Sequence, residues 1–265
     1  MKRVVIVGGA GRMGQALTAG LNALDGVDVV ALVDVTPPLD THGARYVERL
    51  DQLEASGVDA VVDFSTPAGV VGSAHWCATT RIPLVVGATG LGEEAWAALR
   101  LASHETTVIV ASNFSVGAAL AERFAALAAP YFDRVEIVEL HHDRKADAPS
   151  GTSIATARVI AAARRRAGRA TEADPTVRFT VAGARGGDVD GVPVHSVRLP
   201  GLVAHQEVLF GAPGEGLTIR HDSFDRASFV AGVALALEHL SPDAGLIEGI
   251  TSFIDEDVRT QSRRW

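Results

Sequence analysis

The chain has 265 residues, nearly half of them apolar, enough for one large or two modest domains. Its net charge of −8 argues against a broad nucleic-acid-binding surface, and a single cysteine, Cys77, excludes an internal disulfide. No apolar run reaches the ~20 residues that cross a bilayer, and the chain opens on a strand pattern rather than a leader, so a cytoplasmic, globular, non-membrane protein is expected.

Taken in chain order, Arg3–Gly8 is a continuous apolar run of the kind a strand buried on both faces shows. Met13–Ala23 reads as a helix, and Val27–Val33 as a second strand with Asp34 at its end. Further strands are predicted at Ala60–Phe64, Pro83–Gly87 and Thr107–Ala111, with helices near Ala68–Ala78 and Glu93–Ser103. This alternation predicts an α/β fold, a Rossmann-type doubly wound parallel sheet whose strand-to-helix loops gather at one edge. The rhythm then changes. Helices are predicted at Val116–Ala129 and Thr152–Ala167, and strands at Arg134–Leu140, Val177–Ala182, Val192–Leu199, Glu207–Phe210 and Leu217–His221. That is a second, α+β domain over 114–221. An Ala-rich helix over Arg226–Leu240 then returns the chain to the first domain, expected as 1–113 plus 222–265.

Gly9-Ala10-Gly11-Arg12-Met13-Gly14 fits G-x-G-x-x-G, and Gly8, Gly11 and Gly14 fit a three-glycine variant of it. Such a motif is weak alone. Here it follows a strand and opens a helix, and Asp34 stands 20 residues beyond Gly14, which is the dinucleotide-binding context. Glycines let the backbone approach a pyrophosphate, and the helix N-terminus presents N–H groups to it. Asp34 is expected on the adenosine ribose, where a carboxylate repels a 2′-phosphate, so NADH should serve at least as well as NADPH. Arg12 partly offsets that bias. The only tyrosines, Tyr46 and Tyr131, lack the Tyr-x-x-x-Lys spacing of short-chain dehydrogenases.

The second motif is Glu139–Thr152, which holds His141-His142, Lys145 and Pro149-Ser150-Gly151-Thr152. Of 24 basic residues only Lys2 and Lys145 are lysines. Lysine can release a proton where arginine cannot, which points to a proton donor. Histidine titrates near neutrality, so His141 can act as acid or base. Gly151 and Thr152 open a helix, where free N–H groups and the dipole favour a carboxylate. A metal is not expected, because adjacent strand histidines point to opposite faces and nothing with ligand spacing joins them.

With both motifs in view the chain closely resembles the 4-hydroxy-tetrahydrodipicolinate (dihydrodipicolinate) reductase family, nearly end to end. Glu139–Thr152 matches the family's E-x-H-H-x-x-K-x-D-x-P-S-G-T signature. Asp63-Phe64-Ser65-Thr66-Pro67, Gly87-Ala88-Thr89-Gly90, Ala111-Ser112-Asn113-Phe114 and Arg185-Gly186-Gly187-Asp188 support it. Ser112 departs from the proline of many relatives. The resemblance implies NAD(P)H-dependent reduction of a cyclic imine dicarboxylate in lysine and diaminopimelate biosynthesis, with loss of water. It implies His141 as the acid/base residue, Lys145 as proton donor, and His142, Gly151 and Thr152 on the substrate. It places Gly87, Ala88, Thr89 and Ala111 to Phe114 at the nicotinamide end, and it implies a homotetramer built through the second domain's sheet.

Two other readings compete: a different two-domain reductase of imino or 2-oxo acids, such as an aspartate-type dehydrogenase, and a non-catalytic NAD-dependent redox sensor. Glu139, Asp143 and Asp147 read as supporting loop or strand carboxylates, and His195, His205 and His221 as structural or interface residues. Arg164-Arg165-Arg166 reads as complementing a helix dipole, and Cys77 as a buried structural thiol.

Overall fold

The computed structural model describes residues 1–169, 174, 176–241 and 243–254. The chain forms two compact units: Met1–Val116 together with the chain from Arg226, and Gly117–Asp225.

The first unit begins β1 (Lys2–Val7), α1 (Arg12–Asn22), β2 (Val27–Val33), β3 (Arg45–Val47), β4 (Ala60–Asp63), α2 (Pro67–Thr80), β5 (Leu84–Val86), α3 (Glu93–Ala102) and β6 (Thr107–Val110). Val4, Val5, Ile6, Val61, Val62 and Leu84 to Val86 are fully inaccessible. These strands therefore read as unbroken apolar runs because helices cover both faces, and each such side chain contributes about 1.5–3 kcal/mol. In α1 the buried positions Gly14, Leu17, Thr18 and Leu21 make one stripe. Thr66 caps α2 by accepting from Gly69 N at 3.2 Å, Pro67 pre-sets its first turn, and Arg81 ends it at φ +56°. Cys77 is fully inaccessible and burial pushes its thiol up, so it stays protonated as a core residue.

The second unit carries most of α4 (Val116–Ala128), then β7 (Arg134–His141), α5 (Gly151–Arg166), β8 (Gly187–Val189), β9 (Val192–Arg198), β10 (Ala204–Ala212) and β11 (Glu215–Ser223). Its mixed sheet runs β11-β10-β7-β9-β8, with only β7 and β9 parallel. Val135, Ile137, Val194, Val208 and Phe210 pack on Ala125, Ala157, Ile160 and Ala161. Small helical residues let the helices lie close on the sheet.

The expected strand at Val177–Ala182 is not formed: these residues lie in a loop and turn, with Val177, Phe179 and Val181 each more than half exposed. The edge position goes instead to β8, joined to β9 by Asp190 (φ +53°) and Gly191 (φ +85°). Two consecutive left-handed residues make the tight turn whose twist suits a hairpin. Alternating apolar residues without a partner strand cannot satisfy their backbone, and the Asp-Gly turn decides which segment pairs.

The chain resumes in the first unit with a 3₁₀ turn (Arg226–Phe229), α6 (Val230–Glu238) and β12 (Gly245–Glu248). The predicted Arg226–Leu240 helix is thus α-helical only from Val230. The seven parallel strands are ordered β12-β6-β5-β4-β1-β2-β3. Two were not anticipated: β3 and β12 are short edge strands, held mainly by pairing with β2 and β6.

Candidate active site

The glycine-rich turn is built for close backbone packing. Gly8 adopts φ +83°, and a Cβ on Gly14 would lie 2.2 Å from Gly8 O, far inside contact distance. Ala10 N donates to Asp34 Oδ2 at 2.9 Å, so the carboxylate at the end of β2 also fixes the turn. Gly8, Gly11 and Asp34 line a cavity of about 620 Å³ that also takes in Phe64, Ser65, Thr66, Arg49 and Trp76. Gly9, Ala10, Arg12 and Met13 belong to the same turn and helix start but not to that wall. The glycine cradle and the cavity fit a dinucleotide, and Asp34 stands in the cavity wall beside the turn.

Gly87, Ala88 and Thr89 follow β5, and Ala111, Ser112, Asn113 and Phe114 follow β6. Phe64 links these loops: its ring lies 5.5 Å from that of Phe114 and would collide with a Cβ on Gly87 at 2.1 Å. Asn113 Oδ1 accepts from Ser115 N at 2.8 Å. Asp63, in the sequence only part of a motif, has contacts that the sequence does not show. Asp63, fully inaccessible, accepts from Ser65 N (2.8 Å), Ser65 Oγ (2.6 Å) and Ser73 Oγ (2.5 Å). Burial raises its pKa against those bonds, and the bonds hold the Ser65-Thr66-Pro67 turn at the cavity wall.

In the second unit the chemistry gathers at the C-terminal end of β7. Val135, Ile137, Glu139 and His141 share one side of the strand. The first two are core, and the third is a carboxylate with no exposure. Arg198, opposite His141 on β9, donates to Glu139 through Nη1 (2.8 Å) and Nη2 (2.7 Å). His141 Nδ1 lies 2.5 Å from Glu139 Oε2, and Ser150 N donates to Oε1 at 3.3 Å. Burial pushes Glu139 up, but bonds from Arg198, Ser196 and His141 outweigh it and hold the carboxyl below its usual range. Burial is also the main reason that His141 lies below the ordinary imidazole value.

Lys145 Nζ pairs with both Asp147 oxygens at 2.7 and 2.9 Å, while Arg198 Nη2 also donates to Asp147 O at 2.7 Å. Ser150 caps α5, accepting from Ser153 N at 3.2 Å; Ser153 and Thr156 are tied through Gln206. Gly151 and Thr152 therefore form the first turn of a capped helix. His142 Nδ1 is buried without a hydrogen-bond partner among the described residues, so its ring has unused capacity.

Glu139 is thus the centre of the cluster rather than a bystander, and Arg198 was missed because its role depends on register with a distant strand. Asp147 pairs with Lys145. Arg164 does not serve mainly its own helix dipole: nearly buried, it donates to the carbonyls of Phe132 and Asp133, both at 2.8 Å, beyond α4. His195 bonds Glu136 at 2.8 Å and His205 bonds Asp222 at 2.7 Å, while a Cβ on Gly117 would meet His221 at 2.7 Å.

Comparison with known proteins divides the chain once, near residue 115, and its second part includes the segment that returns to the first unit. Residues 2–114 match the family profile "Dihydrodipicolinate reductase, N-terminus" and residues 116–253 the profile "Dihydrodipicolinate reductase, C-terminus". The chain is 45% identical to 4-hydroxy-tetrahydrodipicolinate reductase of Streptomyces avermitilis and 47% identical to that of Nocardia farcinica, over 96% of this chain and 98% of each relative. A dipicolinate-bound dihydrodipicolinate reductase from Paenisporosarcina sp. TG-14 superposes with a TM-score of 0.84 at 36% identity, covering 95% of this chain and 99% of that one. A myo-inositol dehydrogenase from Corynebacterium glutamicum shares the fold alone, with a TM-score of 0.59 at 14% identity. Both halves of the chain match and nearly the whole length of the relatives is spanned, so the chain belongs to the dihydrodipicolinate reductase family of oxidoreductases.

Proposed function

We infer that the chain reduces 4-hydroxy-tetrahydrodipicolinate to tetrahydrodipicolinate in the diaminopimelate route to lysine. NAD(P)H and a proton are consumed; NAD(P)⁺ and water are released. The observation that carries this reading is the His141 imidazole held by a buried carboxylate at the end of β7, with Lys145 on the next turn and the α5 N-terminus after it. Bound in the glycine cradle, the reduced nicotinamide supplies the hydride. Gly8 to Met13 hold its pyrophosphate, Asp34 its ribose, and Gly87 to Thr89 with Ala111 to Phe114 its nicotinamide end.

His141 exchanges a proton with the substrate, and Lys145 donates one where negative charge develops on the ring nitrogen. Gly151 and Thr152 take a carboxylate on N–H groups and a hydroxyl, and His142 offers its unpaired ring nitrogen to the substrate. Asp34 favours NADH at least as well as NADPH. The enzyme acts in the cytoplasm as a homotetramer built through the second unit's sheet.

The test supplies substrate in place from pyruvate and aspartate semialdehyde with the upstream synthase, and follows loss of reduced-nicotinamide absorbance. Synthase-dependent oxidation is expected, with kcat falling on the order of 10²–10⁴-fold in His141→Ala. Cofactor binding without oxidation would return the second unit to a sensor or to another substrate.

A further inference from the structure

We propose that Glu139 and Arg198 are a positioning pair that locks His141 in its Nδ1–H tautomer, so that Nε2 alone exchanges protons, and that the same arginine fixes the turn bearing Lys145. The catalytic consequence rests on the function inferred above; the tautomer does not.

Glu139 has no exposure, receives two guanidinium N–H groups, and is held in its charged form. An ionised carboxylate carries no proton, so the 2.5 Å contact to His141 requires the hydrogen on Nδ1. Nε2 is then the bare nitrogen of the neutral ring, with no protein partner among the described residues, on a side chain 15% exposed. The hydrogen bond made at one ring nitrogen sets the tautomer, and here that bond is to a buried carboxylate.

Arg198 Nη2 donates to both Glu139 Oε1 and the carbonyl of Asp147, whose carboxylate holds Lys145. One side chain from β9 therefore sets where the β7 histidine and the following lysine stand. A bidentate guanidinium can do this and an ammonium cannot, because its planar fork engages the carboxylate and the carbonyl at once.

The charged groups facing His141 are few. Glu139 comes from its own strand, Arg198 from β9 and Lys145 from the following loop, while β10 presents uncharged Ala204. Besides burial, which lowers the ring's pKa, Glu139 raises it and the two cations lower it.

The experiment is NMR of the intact protein with ¹⁵N- and ¹³C-labelled histidine, His141 being assigned by loss of its signals in His141→Gln. Wild type should show the Nδ1–H ring when neutral; an Nε2–H ring overturns the proposal with no further variant needed. Titration should move in opposite directions, Glu139→Gln lowering the His141 midpoint and Arg198→Met raising it. Arg198→Lys should restore the wild-type midpoint but not the kcat, because its charge remains while the fork is lost. Shifts of the same sign, or none, would reduce the pair to a structural brace. In turnover, kcat should drop on the order of 10²-fold in Glu139→Gln with substrate KM nearly unchanged. An Nδ1–H ring in a protein that never reduces the substrate supports the pair and overturns only the substrate assignment.

Discussion

The ends of β1 and β7 solve the same problem, presenting chemistry beyond a buried strand, by opposite means. After β1 the site is made of absences: glycines let backbone approach backbone, and Gly14 stands where any Cβ would strike Gly8 O. After β7 it is made of charges carried inside: a carboxylate with no exposure, a bidentate arginine and a histidine between core and solvent. The first design depends on shape. The second depends on every partner being present, since a buried charge that loses its partner is costly.

The comparison can be broken at several points. After His141→Ala, the largest effect is expected at the β7 end in Lys145→Arg, which keeps the charge but cannot release a proton. Steady-state kinetics should give kcat lower by about 10²-fold, and parental activity would remove proton donation as the reason for lysine.

At the β1 end, Gly14→Ala should cost about 1–3 kcal/mol by forcing the turn apart and weaken NADH binding, read by thermal melts and by calorimetry. Unchanged NADH affinity would mean that the turn is not the cofactor cradle. Asp34→Ala removes the proposed ribose acceptor and a bond to Ala10 N. It should shift the NADPH/NADH ratio of kcat/KM toward NADPH by roughly 10-fold, the scale of one charge interaction partly screened by water. An unchanged ratio counts against the ribose assignment.

The smallest effect is a control away from both ends. Asp59 receives the Arg3 guanidinium at 2.8 and 3.1 Å, which holds its carboxyl down at about 2, with help from Arg3 N. Because that value lies below the unfolded 3.8, the pair stabilises the protein fully above pH 3.8 and loses its contribution as pH falls toward 2. Both side chains are over a third exposed. Asp59→Asn should therefore cost under about 1 kcal/mol at neutral pH, and acid melts of the variant should be flatter over that interval.

Much was legible in one dimension because it depends on neighbours in the chain. Apolar runs report strands covered on both faces, and a glycine turn between strand and helix reports a cradle. The helical start at Gly151 follows from Ser150 and its local cap. The Val177–Ala182 segment misled because alternation reports only that a strand could be half buried, whereas pairing requires a partner edge, which the Asp190-Gly191 turn gave to β8. The edge strands β3 and β12 are only partly buried, so no continuous apolar run announces them.

Fold class and family were legible in short contiguous stretches of the chain, as were the candidate side chains of the site. The contacts around those side chains required the folded chain. Arg198 reaches Glu139 from 59 positions away because β7 and β9 pair in parallel with His141 opposite Arg198. Asp63 meets Ser73 across a helix turn and a strand end. The state of the Glu139–His141 pair follows from burial and from the arginine that β9 brings to it, a contact that exists only once the sheet has closed its register.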